Sequence, residues 1–200
     1  SSGAWWRVGL VATIASQVAI VSAWTDARFG TVVNLLVLVG VAVNFASRGP
    51  FGFTAAYRRA VARRRSKPVD AATVREADLA RLPPPVRRFL RAAGVVGTPR
   101  VDRLKATWRG RIRARADDPW MEFTAEQTNF LREPSRFFLL KASRAGLPVD
   151  VFHAFADNAA RMQVRLLSLL PLVDARGAEL TRAETVTLFN DLTLLAPAEL

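Results

Sequence analysis

Two uncharged apolar stretches of 17 residues, Val8–Trp24 and Thr31–Ser47, stand near the N-terminus, separated only by Thr25-Asp26-Ala27-Arg28-Phe29-Gly30. Each is at the short end of what a helix needs to cross a hydrocarbon core. Trp5, Trp6 and Arg7 extend the first stretch, and Trp24 suits the opposite interface. Arg48, Gly49 and Pro50 close the second. The pattern predicts a transmembrane helical hairpin over residues 1–50. A buried hairpin of a soluble protein fits the flanking Trp residues less well, and a cleaved signal peptide fits poorly because a second apolar run follows at once. Few positions inside the stretches are polar: Ser16, Gln17, Ser22, Asn34 and Asn44. Antiparallel packing about the loop would set Asn34 near Ser22 and Asn44 near Thr13. Such groups either hydrogen-bond the helices together or line a path for a bound molecule.

After Pro68 the pattern changes. Asp70–Leu82 predicts a short helix, ended by Pro83-Pro84-Pro85, and Val86–Ala93 predicts a second with Val86, Phe89 and Leu90 on one face. The period then drops from 3.6 to 2. Along Val101–Arg115, Leu104, Ala106, Trp108, Gly110 and Ile112 alternate with Lys105, Thr107, Arg109, Arg111 and Arg113, a strand with one apolar and one cationic face. Met121, Phe123 and Ala125 alternate with Glu122, Thr124 and Glu126 in a second strand, whose acids can face the first strand's arginines. Arg136–Ser143, Val149–Phe155 and Ala160–Leu169 are further strands, and Gly146, Asp157-Asn158 and Asp174–Gly177 supply turns. Thr181-Arg182-Ala183-Glu184 matches a capping box ahead of a helix from about Arg182 to Leu195, expected to lay Val186, Leu188, Phe189, Leu192 and Leu195 on the sheet. The expected fold is membrane-anchored α+β: a transmembrane hairpin over 1–50, a basic juxtamembrane helix or linker over 51–69, and over 70–200 short helices and a curved antiparallel meander of about five strands packed by a C-terminal helix. Both chain ends read as cut, and the sheet as incomplete at the C-terminus.

Charge sets an orientation. Arg58, Arg59, Arg63, Arg64, Arg65 and Lys67 follow the second apolar stretch with no intervening acid, and supply six of the net twelve positive charges. The positive-inside rule places both ends of the hairpin and everything after Ser47 in the cytoplasm, on the inner membrane. These six residues are expected to meet anionic lipid headgroups. Residues 68–200 hold 20 basic and 16 acidic side chains, too even a balance for a nucleic-acid binder. The chain has no Cys, which excludes disulfides, thiol catalysis and Cys-based metal sites.

Several strings in this sequence are similar to a known family. Leu82-Pro-Pro-Pro-Val-Arg-Arg-Phe-Leu-Arg-Ala-Ala-Gly-Val-Val-Gly97, Pro119-Trp-Met-Glu-Phe-Thr-Ala-Glu-Gln127, Gly146-Leu-Pro-Val149 and Glu184-Thr-Val-Thr-Leu-Phe-Asn-Asp191 resemble a bacterial family of unknown function in which a membrane segment precedes a β-rich domain. The resemblance covers about residues 70–200 and implies a sheet that continues past Leu200. Trp24-Thr-Asp-Ala-Arg-Phe-Gly-Thr-Val-Val-Asn34 is similar to a loop of DoxX-like four-helix membrane proteins, of which two helices are present here. Neither resemblance implies a catalytic residue.

His153 is the only histidine, and Glu122, Glu126 and Asp191 are the carboxylates it could join for acid–base or metal chemistry. No phosphate-binding Gly loop, nucleophile elbow or His-Glu-x-x-His motif is present. No cofactor and no metal is expected. The aromatic centre of the domain, with Trp108, Trp120, Phe123 and Phe137, is core or the wall of an apolar site. The first functional expectation is a membrane-tethered module that binds a lipid or other apolar ligand on its curved sheet through Trp108, Trp120, Phe123, Phe137 and His153. The alternatives are a membrane-anchored enzyme on a small or lipid substrate, which requires His153 to converge with Glu122, Glu126 or Asp191, and a structural or accessory membrane protein.

Overall fold

A computed structural model of the chain describes residues 5–64 and 73–200. Helices α1 (Trp5–Ser22) and α3 (Gly30–Arg48) form the hairpin, joined through the single turn α2 (Trp24–Ala27). Both are long and apolar enough to cross a membrane. Close approach depends on glycine: a Cβ on Gly9 would stand 2.9 Å from Val41, and one on Gly30 2.8 Å from Ile20. The polar residues pair across the helices, Ser16 donating to Asn34 at 3.1 Å and Asn34 to Gln17 at 2.9 Å. Asn34 therefore meets Ser16 and Gln17 rather than Ser22, whose hydroxyl turns back to the Ala19 carbonyl. Thr13 likewise bonds the Gly9 carbonyl rather than Asn44. The physical reason is that α2, Arg28 and Phe29 keep helical backbone angles and lead straight into α3, so the second arm effectively begins at Trp24. Away from that seam the hairpin presents Val8, Val11, Val18, Leu36 and Val39 outward, all at least 60% exposed.

Gly49 and Gly52 bend the chain from α3 into α4 (Phe53–Arg63); a Cβ on Gly52 would come 2.4 Å from the Ala46 carbonyl oxygen. The basic helix is strongly amphipathic. Phe53 and Tyr57 bury against Phe130, Phe137, Leu139 and Phe152 of the sheet, and the Tyr57 hydroxyl meets Thr128 at 2.8 Å. Full burial of such side chains contributes about 1.5–3 kcal/mol each. The segment expected as a juxtamembrane linker is thus also a layer of the folded domain. The helix expected over 70–82 is shorter, α5 (Glu76–Leu79), and with α6 (Pro84–Ala92) it encloses a small core of Val74, Leu79, Leu90 and Val95. The carboxylate of Asp78 accepts from the Arg75 backbone and from Arg100, which holds it below the usual carboxylate range.

Six strands follow in simple meander order: β1 (Arg103–Ile112), β2 (Met121–Phe130), β3 (Ser135–Arg144), β4 (Leu147–Ala156), β5 (Ala159–Leu166) and β6 (Leu170–Arg176). The sixth strand is a correction. Asp174, Ala175 and Arg176 belong to β6, and only Gly177, at φ +122°, makes the turn. The run after Ala160 breaks instead at Leu167 and Ser168, both left-handed at φ +55° and +60°. Leu-Ser is a poor left-handed pair by residue type. Tertiary contacts hold it: the Leu167 N–H donates to the Pro148 carbonyl, and the Ser168 hydroxyl to the buried Asp150 carboxylate.

The pleat divides the sheet into two faces. One, under α4, carries Lys105, Thr107, Arg109 and Arg111 on β1, Glu122, Thr124, Glu126 and Thr128 on β2, and Phe137, Leu139 and Lys141 on β3. The other carries the alternate set and receives α7 (Ala178–Leu195). Helix α7 starts at Ala178 after the cap residue Gly177, not after Thr181; Thr181 lies inside it and accepts from the Ala160 N–H, while Glu184 turns to the sheet. The capping box is therefore absent. The buried stripe of α7 is Glu184 and Leu188, and Val186 and Phe189 face outward.

Candidate functional site

The face under α7 is built from alternate residues of every strand. Trp108, Gly110 and Ile112 of β1 stand opposite Ala125, Phe123 and Met121 of β2. Leu140 and Ala142 of β3, Val149 and Val151 of β4, and Val164 and Leu166 of β5 continue the same apolar surface. Gly110 makes room for the Phe123 ring, which a Cβ there would meet at 3.2 Å. Helix α7 packs over the β4–β6 side, where Leu188 joins Phe155, Ala160 and Leu180. At the β1 edge Trp108 is 38% exposed and Ile112 40%.

Where α7 does reach the centre of the sheet, the contact is polar. Arg136 Nε donates to Asp191 at 2.9 Å, Nη1 to Glu184 at 3.0 Å and Nη2 to Gln127 at 3.1 Å. Gln127 and Asn129 donate in turn to the same Asp191 oxygen, at 2.7 and 3.1 Å. His153 Nδ1 donates to Glu184 at 2.9 Å. The positions follow from two periodicities. Gln127, Asn129, Arg136 and His153 share the face because side chains alternate along strands, and Glu184, Leu188 and Asp191 share it because they lie four and three residues apart on a helix. Asn129 is fully buried and Gln127, Arg136 and Glu184 are nearly so. Burial pushes the Glu184 carboxyl upward, but the His153 hydrogen bond and the Arg136 charge outweigh it and hold the group below its usual 4.5. Among the described residues, none of the network's buried side-chain nitrogens or oxygens lacks a hydrogen-bond partner, the condition under which a buried polar cluster rigidifies rather than destabilises a fold.

Trp108, Phe123 and His153 share the α7 face. Trp120, just ahead of β2, is largely exposed and lies under Arg113 and Arg111, 4.6 and 5.9 Å from its ring centroid. Phe137 points the other way, buried beneath α4 against Phe130, because its register partner Thr128 is on that face. Asp191 joins His153 only through Arg136 and Glu184, while Glu122 and Glu126 lie on the opposite face, Glu126 paired with Lys105 at 3.5 Å. Of the basic run, Arg58, Arg59 and Arg63 are exposed on α4. Arg64 instead bridges Asp157 at 2.6 Å and Glu133 at 3.6 Å. Arg65 and Lys67 fall outside the described residues. Arg136 and Glu184 were not among the expected site residues. The legible signal was the apolar alternation Met121, Phe123, Ala125 running on into Gln127 and Asn129, polar residues on a core face that require a partner.

Residues 72–200 match a family described as a family of unknown function, DUF6544. Neither a curated protein nor a solved structure matches the chain.

Proposed function

The chain belongs to DUF6544, a family of unknown function, and we propose that it is a membrane-anchored binding module whose sheet holds an acyl chain of a lipid on the face that α7 leaves open. In this reading α1 and α3 cross the inner membrane, and the positive charges after α3 keep the sheet domain on the cytoplasmic side. The observation that carries it is the mismatch between helix and sheet. Helix α7 contributes Leu188 and Leu180 to one side of the sheet, while the apolar face continues through buried Leu140 and half-buried Phe123 and Met121 to exposed Trp108 and Ile112. Isolated exposed apolar residues are ordinary, but a row continuous with a core marks a contact surface. A lipid is the occupant that the membrane hairpin would supply.

The test is lipid extraction and mass spectrometry on the detergent-purified full chain beside Trp108→Arg. A co-purifying lipid lost from a variant that keeps its melting temperature is the expected result. Identical lipid profiles would assign the lipid to the hairpin and remove the sheet from the function. Orientation has its own test, made clean by the absence of native cysteine. In intact spheroplasts, Asp26→Cys in the hairpin turn should react with an impermeant maleimide, and Asp118→Cys in the β1–β2 turn only after lysis. The reverse pattern would put the domain outside.

A further inference from the structure

The face under α4 carries a different feature. A cleft of about 570 Å³ opens between the end of α3, the first turns of α4 and strands β1–β3, lined by Arg48, Thr54, Arg58, Arg109, Glu126 and Lys141 among others. Four cations face one carboxylate, and that carboxylate is held by Lys105. Among the described residues, Arg58, Arg109 and Lys141 make no ion pair. The strand register shows how the sheet arranges them. Thr124 of β2 stands directly between Arg109 of β1 and Lys141 of β3, so a cation, a hydroxyl and a cation form one row across three strands. The row continues on β4 with buried Asp150 opposite Lys141, so Lys141 has a carboxylate on its far side, while on its near side a hydroxyl and no acid stands between it and Arg109. Above the row, the Thr54 hydroxyl oxygen is buried and, among the described residues, has no hydrogen-bond partner. Cations at this spacing repel one another at a cost that an anion between them removes.

We propose that this cleft binds a phosphate group, with Arg109 and Lys141 as its principal cations, Arg58 closing it from α4, and the Thr54 and Thr124 hydroxyls as neutral donors. Guanidinium and ammonium groups together are a usual phosphate-binding set. Position argues for a lipid phosphate: Arg48 ends α3 and lines the cleft, so on the reading that α3 crosses the bilayer the cleft lies at headgroup level. Trp108 borders this cleft, but by register its side chain stands on the other face of the sheet, and the phosphate site stands or falls separately from the acyl-chain reading.

The test titrates the full chain, in a non-ionic detergent, with dihexanoyl phosphatidylglycerol, with dihexanoyl phosphatidylcholine and with inorganic phosphate, by calorimetry. Saturable binding of the phosphatidylglycerol, at least tenfold weaker in R109Q/K141Q and within twofold of wild type in R87Q/R88Q on α6, is the expected result. R109K/K141R, which keeps both charges, should retain most of the affinity and guards against a folding artefact. Inorganic phosphate that fails to displace the lipid identifies a headgroup as the ligand; displacement at matching concentrations identifies a soluble phosphate ester. Equal weakening in R109Q/K141Q and R87Q/R88Q, or equal wild-type affinity for the two lipids, would reduce the effect to diffuse charge or detergent partitioning and overturn the site.

Discussion

Arg136→Leu should cost roughly 3–5 kcal/mol of stability, the usual loss when one partner of a buried charge network is removed. Among the described residues the Arg136 guanidinium is the one Arg or Lys that pairs with buried Glu184 and partly buried Asp191, and it also satisfies Gln127. Removing it leaves Asp191 to two side-chain amides and Glu184 to His153 alone. Against the 5–15 kcal/mol total of an ordinary domain this is a large fraction. Urea unfolding followed by circular dichroism checks it, and a loss under 1 kcal/mol would show that the network contributes nothing. A pH series separates the electrostatic cause from simple mispacking. In the wild type Glu184 has a folded pKa below its usual 4.5, so its contribution is present above that value and lost as pH falls through the folded pKa. Without the Arg136 charge that depression shrinks, and the variant should lose less stability on acidification than the wild type does.

Phe137→Ala should cost about as much, 3–5 kcal/mol, through a cavity rather than a charge. Phe137 sits edge-on to Phe130, 6.4 Å between centroids, in the core that also holds Phe53 and Tyr57 of α4. Helix α4 has 11 residues, too few to stand alone in water, so its helicity depends on that core. The expected consequence is local as well as global: trypsin should cut at Arg58, Arg59 and Arg63 faster in the variant at temperatures where the sheet remains folded. Phe137→Leu, which keeps most of the volume, should cost less than half as much. Equal cleavage rates in Phe137→Ala and wild type would mean that α4 is held by something other than this cluster.

The two sheet faces have opposite chemistry, and the register keeps them apart. A one-residue slip of β1 would bring Arg109 to the α7 face and Trp108 to the α4 face. The acyl-chain reading and the phosphate reading each depend on that alternation, one for the apolar row and the other for the Arg109–Thr124–Lys141 row. The Tyr57–Thr128 hydrogen bond and the Arg64–Asp157 ion pair then fix α4, and with it the end of α3, against the cationic face.

Local pattern determined much of this protein. The two apolar stretches, the change of period near Val101, the alternation of Trp108 with Arg109 and the Asp157-Asn158 turn each follow from a residue's own geometry or hydrophobicity, and each was legible without the fold. What the tertiary structure decided are the features that need a distant partner. Leu167 and Ser168 turn left-handed only because Asp150 and Pro148 hold them, which is why a sixth strand was hidden behind an unpromising turn. Thr181 and Glu184 have the spacing of a helix cap, yet Arg136 and His153 draw Glu184 onto the sheet and the helix begins at Ala178, capped by Gly177. Phe137 is an aromatic in a strand whichever way it faces; only its pairing with Thr128 puts it under α4 rather than beside Trp108. Propensity acts over a few residues, whereas a buried carboxylate requires a partner wherever the chain can bring one, and that long-range demand set the polar centre of the fold.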